Sequence, residues 1–181
     1  QLGLALMQYT QDYDEKYPHA DGSGQDVFNG QLQPDIKSIQ ISRCPSAKNQ
    51  DQSAYSVNSW IWTSDGLSIA AIPSVAELVA AGDGTQIGGG GTTRQFFNNW
   101  SGDFWSGGFP WGSGADPNQT LLYDAAWDVD PAAWTNSPWN GDGMVRYRHF
   151  EGANFVYADG HVKWARRGTT RLRNWNYETQ R

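Results

Sequence analysis

His149, Asp159 and His161 are the residues whose types and spacing most suggest chemistry, because two imidazoles bracketing a carboxylate are ligand types for a metal ion. Strand geometry counts against a direct His149–Asp159 chelate. If Asp159-Gly160 turns a hairpin, His149 lies level with Phe155, four residues from Asp159, or about 13 Å at about 3.3 Å per residue. Asp159 is then expected to cap its own turn by accepting backbone N–H groups, with His149 tucked against aromatic rings. A second acidic group, Asp124, Asp128 and Asp130, surrounds Trp127. Calcium is bound by carboxylate and carbonyl oxygens, and a loop with Asp-x-Asp offers two such side chains, so calcium is the one ion to consider here. Otherwise no cofactor is expected.

Cys44, in Arg43-Cys44-Pro45, is the single cysteine. It excludes an internal disulfide and a cysteine-based zinc site, and nothing in the sequence aims His19, His149 or His161 at it. It is expected to be a small buried hydrophobe. No Ser-His-Asp elbow, phosphate loop or HExxH is present, and no two carboxylates stand out as a glycosidase pair, so an enzyme is not expected.

Phe96, Phe97, Trp100, Phe104, Trp105, Phe109 and Trp111 lie among Gly, Asn and Asp. Flat rings flanked by amides could stack on sugars, with Trp100, Trp105 and Trp111 as the contact residues. The same rings could equally pack a minicore or a subunit interface, where aromatics are enriched.

The elements that must position these residues come from composition and periodicity. The chain has 181 residues, the length of a single domain, and only 18% are charged, while 21 are glycine and 10 tryptophan, which suits a loop-heavy fold with a modest core. A net charge of −6 makes nucleic acid an unexpected partner despite Arg166, Arg167, Arg171 and Arg173, which read as a solvated basic tail. Leu2, Leu6, Tyr9, Tyr13 and Tyr17 recur at helical spacing and predict an amphipathic helix over residues 1–18, stopped by Pro18. That pattern is already running at Gln1 without an N-cap residue, so a preceding segment is expected. Residues 55–62 read as a strand, 75–81 as a strand or a stub of helix, and 84–143 as a long Gly/Trp-rich insertion.

Residues 144–165 predict a three-stranded meander. Asp159-Gly160 suits a two-residue type I′ turn, which pairs Tyr157 with Val162 and Phe155 with Trp164. Gly152 in a bulge adds Tyr147 and His149 to the same aromatic face, which is expected to receive the helix stripe. The fold class predicted is α+β: one domain over 1–181, an N-terminal helix packed on a small antiparallel sheet.

His149 with Asp159-Gly160, inside RHFEGANFVYADGHVKW, resembles the prepilin-type H-x9-DG family of type IV pilin-like and type II secretion pseudopilin-like proteins. QLGLALMQYTQDYDEKYP resembles the family's emerging N-terminal helix, Arg43-Cys44-Pro45-Ser46 its "CP" element, and Tyr55-Ser56-Val57-Asn58 its "SYxxN" strand. The resemblance implies a non-enzymatic filament subunit with His149, Asp159 and Gly160 as fold-defining positions. It implies a leader cut by a prepilin peptidase and a hydrophobic half-helix that anchors the protein in the inner membrane before assembly. The head would then be periplasmic or extracellular, with copies of itself or other pilin-like subunits as partners. The other function to weigh is a secreted cell-surface carbohydrate-binding or adhesive module, with polysaccharide held by the aromatic insertion.

Overall fold

The computed structural model describes residues 1–19, 30–47, 53–58, 60–63, 65–84, 96–97, 118 and 145–181. Helix α1 (Leu2–Asp12) is followed by one turn of helix, α2 (Gln33–Ile36), then strands β1 (Tyr55–Asn58), β2 (Val79–Asp83), β3 (Phe96–Phe97), β4 (Gly152–Tyr157) and β5 (Val162–Arg166). The sheet order is β3-β1-β2-β4-β5. The four strands β1, β2, β4 and β5 are antiparallel, and the short β3 pairs parallel to β1. The architecture is therefore α+β, as the periodicity predicts. Among the described residues no helix is long and apolar enough to cross a membrane.

Helix α1 buries Gly3, Ala5, Leu6, Tyr9 and Thr10. It ends at Asp12, well before Pro18. The chain leaves the helix through Asp14 (φ 52°) and Glu15 (φ 57°), both left-handed, and reverses so that Tyr17 N–H donates to the Leu67 carbonyl. Tyr13 is 57% exposed and stacks on Tyr9 at 4.1 Å, so the stripe loses one of its expected buried members. Tyr17, beyond the helix, is buried, and its hydroxyl donates 2.7 Å to the Ala158 carbonyl.

The β4–β5 hairpin forms, in a register one residue away from the two-residue turn. Asn154 faces Trp164, Phe155 faces Lys163 and Val156 faces Val162, so the pairs Tyr157/Val162 and Phe155/Trp164 do not form. The connection is a three-residue loop, Ala158-Asp159-Gly160, closed by Gly160 N–H to the Tyr157 carbonyl and Tyr157 N–H to the His161 carbonyl. Only Gly160 takes positive φ, at 85°. Because side chains alternate along a strand, that one-residue slip moves Trp164 to the face opposite Phe155.

The two faces are covered by different parts of the chain. Val156 and Ala81 lie in the cluster with Leu6, Tyr9 and Tyr17 of the N-terminal segment. Phe155, Tyr157 and Ala153 pack instead with Val79, Leu172 and Trp175, so the aromatic face receives the C-terminal segment rather than the helix. A bulge in β2, where Val79 faces Tyr157 but Ala81 faces Val156, lets one strand serve both faces. Phe155 meets Trp175 edge to face at 5.6 Å, a geometry contributing about 0.5–1.5 kcal/mol beyond area burial. Asn58 joins three elements: its amide donates to Val79 O at 2.7 Å and Trp175 O at 2.8 Å, and its oxygen accepts from Trp60 N–H. The basic tail is solvated as expected, and forms surface ion pairs: Arg173 with Glu77 at 2.8 Å and Arg166 with Glu151 at 3.3 Å.

The first arm of the expected meander is not a regular strand. Val145 bridges Gly84 and His149 bridges Gly152, and between the latter two lies a tight turn at Phe150 (φ 53°) and Glu151 (φ 58°). The left-handed residues are thus non-glycine, and Gly152 is needed for another reason. The indole of Trp164 lies where its Cβ would stand, 2.2 Å from the Trp164 Cε2. Trp164 Nε1 then donates 2.9 Å to the His149 carbonyl, fixing the turn that carries the histidine.

Candidate functional site

The end of β2, the approach to β4 and the loop after α2 meet around Asp83. The Asp83 side chain is fully buried. It ends an apolar strand, VAAGD, and its Oδ2 accepts from the Asn154 backbone N–H at 2.7 Å and the Asn154 side-chain amide at 3.2 Å. Its other oxygen, Oδ1, is buried and has no hydrogen-bond partner among the described residues. Two groups approach that atom more loosely: Arg148 Nη1 at 3.5 Å and His149 Nε2 at 3.4 Å. The Arg148 guanidinium donates to Ala54 O at 3.2 Å and Gly84 O at 2.8 Å, which orients it beside the carboxylate.

Cys44 completes the group. Its Sγ lies 3.6 Å from His149 Nε2, and one ligand-type atom from each of Cys44, Asp83 and His149 lies within 4.8 Å of the other two. The expectation that no histidine addresses Cys44 is therefore overturned, as is the placement of His149 against aromatic rings. The bond spans 105 residues, and sequence spacing carries no information about which distant loops meet. Two signals did exist: Cys44 and His149 each sit in a stretch that carries the family resemblance, and Asp83 is a carboxylate inside an apolar strand.

The geometry is not that of a nucleophile relay. In such a relay the imidazole meets the nucleophile through one ring nitrogen and the orienting carboxylate through the other. Here Cys44 and Asp83 both approach Nε2. Cys44 is also only 3% exposed.

Tyr55 borders the group, and its phenol is pushed up to about 12, chiefly by burial, then by the negative charges of Asp83 and Cys44, against the opposing pull of Arg148. An unfolded tyrosine titrates near ~10. The folded state therefore holds a proton that the unfolded chain releases. The stabilisation this gives is complete below about pH 10 and is lost as pH rises through about 12. Burial also raises the phenols of Tyr9, Tyr17 and Tyr157, so tyrosinate absorbance is expected to show several late phenols, one fewer in Tyr55→Phe; titration of Tyr55 together with the exposed tyrosines contradicts the burial argument.

His149 and Asp159 have separate partners, as strand geometry predicts. Asp159 Oδ1 accepts from His161 N–H at 3.1 Å and lies 2.6 Å from His161 Nδ1, and the His161 ring stacks on Tyr157 at 4.3 Å. Asp159 thus caps its own loop. Gly160 lies against helix α1. A cleft of about 340 Å³ opens nearby between Leu2 and Gly3 of α1, Ile41, Arg43 and the Gly82–Val156 region of the sheet. Trp100, Trp105 and Trp111, and the calcium candidates Asp124, Asp128 and Asp130, lie outside the described residues. Comparison with protein-family models, curated proteins and solved structures gave no match.

Proposed function

We propose that this chain is the periplasmic or extracellular head of a type IV pilin-like or type II secretion pseudopilin-like filament subunit, and that it has no catalytic role. The observation that carries this reading is the convergence of the four separate stretches that resemble that family. Gly3 of the N-terminal helix faces Gly160 so closely that a Cβ on Gly3 would stand 2.3 Å from the Gly160 carbonyl oxygen. Tyr17, at the end of the same stretch, bonds the Ala158 carbonyl. Cys44 meets His149, Tyr55 of the fourth stretch packs against Cys44, and Val57 shares a cluster with Leu6 and Tyr9. His149, Asp159 and Gly160 therefore act as fold-defining residues. Leu4, 72% exposed on the outward side of α1, is available to neighbouring subunits.

A photo-cross-linking residue in place of Leu4, in cells making the full-length gene product, tests this. Irradiation is expected to give dimers and higher multiples in the fraction sheared from the cell surface, and to give none when the prepilin peptidase is deleted. Monomer alone in both strains overturns the filament reading.

A further inference from the structure

We propose that Cys44, Asp83 and His149 form a binding site for a divalent transition-metal ion of the zinc class, an inference independent of the filament reading. The expectation that a lone cysteine excludes a cysteine-based zinc site is set aside here: one thiolate suffices when an imidazole and a carboxylate complete the donor set, and sulfur, nitrogen and oxygen are all ordinary zinc ligands. Two of the three donor–donor spacings match those of a bound ion, and the third lies within 4.8 Å. Zinc bonds of about 2.3 Å to sulfur and about 2.0–2.2 Å to nitrogen and oxygen, set at tetrahedral angles, require about 3.5–3.6 Å between S and N and about 3.3–3.4 Å between N and O. The distances here are 3.6 Å from Cys44 Sγ to His149 Nε2 and 3.4 Å from His149 Nε2 to Asp83 Oδ1.

Three further features agree. Asp83 Oδ1, fully buried and without a hydrogen-bond partner among the described residues, is the atom aimed at the cluster, and its ion-pair contacts, Arg148 Nη1 at 3.5 Å and His149 Nε2 at 3.4 Å, fall short of hydrogen bonds. The other oxygen is held by Asn154, and the His149 carbonyl by Trp164, so the donors are braced from behind as metal ligands usually are. The His149 side chain is 25% exposed while Cys44 and Asp83 are buried, which leaves the fourth position on the histidine side for water or a partner's side chain. Binding deprotonates the Cys44 thiol and releases that proton to solvent. The two anionic ligands then balance the dication, and the Arg148 charge remains against the Ala54 and Gly84 carbonyls.

The test uses the whole chain, stripped with a chelator and titrated with zinc chloride against a competing chromophoric chelator, with cobalt(II) as the spectroscopic probe. One equivalent per chain is expected. Cobalt is expected to give the visible bands of a tetrahedral ion together with a sulfur-to-cobalt charge-transfer band. Cys44→Ser and His149→Gln are each expected to weaken binding more than ~100-fold, while His161→Gln, which removes the exposed pair with Asp159, leaves it unchanged. No stoichiometric zinc, cobalt spectra without the sulfur band, or full binding by Cys44→Ser overturns the proposal. The sulfur band is read on the unaltered protein, so the test stands even if a variant fails to fold.

Discussion

Alanine at Asp83 is expected to destabilise the chelator-treated protein by about 3–5 kcal/mol, the range for removing one partner of a buried charge pair. The carboxylate is fully buried and lies 3.5 Å from Arg148, whose own side chain is 5% exposed. Its loss strands the guanidinium charge in the interior and removes the acceptor of the Asn154 backbone N–H. Asn at this position keeps an acceptor for Asn154 and should cost less than Ala. The double variant Asp83→Leu/Arg148→Met removes both charges and should lose clearly less than the sum of its single changes. Urea denaturation of the unaltered protein, Asp83→Ala, Asp83→Asn, Asp83→Leu, Arg148→Met and the double variant provides the check. A single-variant loss below about 1 kcal/mol, or strict additivity, would show that the pair is not coupled.

Valine at Gly160 is expected to cost about 3 kcal/mol, from two sources that act together: left-handed backbone (about 1–2 kcal/mol) and overpacking (about 1–3 kcal/mol). Gly160 sits at φ 85°, and a Cβ there would stand 2.3 Å from Met7 Cγ and 3.2 Å from the Gly3 carbonyl oxygen. For a chain of this size that loss is a fall of roughly 6–12 °C in melting temperature. Met7→Ala in the Gly160→Ala background should recover part of the loss by opening space, because the backbone cost remains. Gly160→Val melting at the temperature of the unaltered protein would count against both the loop conformation and its contact with α1.

Much of the frame is legible in the sequence, and what is not has identifiable causes. Leu6 and Tyr9 announce the buried side of α1 by spacing alone. The helix end is missed because Asp14 and Glu15 adopt left-handed conformations, and pattern reading expects that of Gly or Asn. Asp159-Gly160 announces the hairpin, but not whether its loop holds two residues or three. That single residue decides which face Trp164 joins. The turn at Phe150-Glu151 has no Gly-type signal at either position, so the sequence points to a bulge at Gly152, whose lack of a side chain serves the Trp164 ring instead. The Cys44–Asp83–His149 group is assembled by tertiary contacts between three loops or strand ends, which no local period encodes.

Tyr17 and Ala158 are 141 residues apart, and Asn58 reaches Trp175 across 117. A ribosome making about 5–20 residues per second therefore leaves the N-terminal helix without the β4–β5 hairpin for roughly 7–30 s. During that interval the apolar side of α1, carrying Leu6 and Tyr9, has only the earlier-made members of its cluster, from Leu32 to Ala81, to pack against. Contacts this distant in sequence also slow the closing step itself, because the loop entropy is lost before the contacts return it. Chain order thus makes packing of α1 on the residues before Ala81 the early event, and its contact with Val156 and Ala158 of the last hairpin the late one.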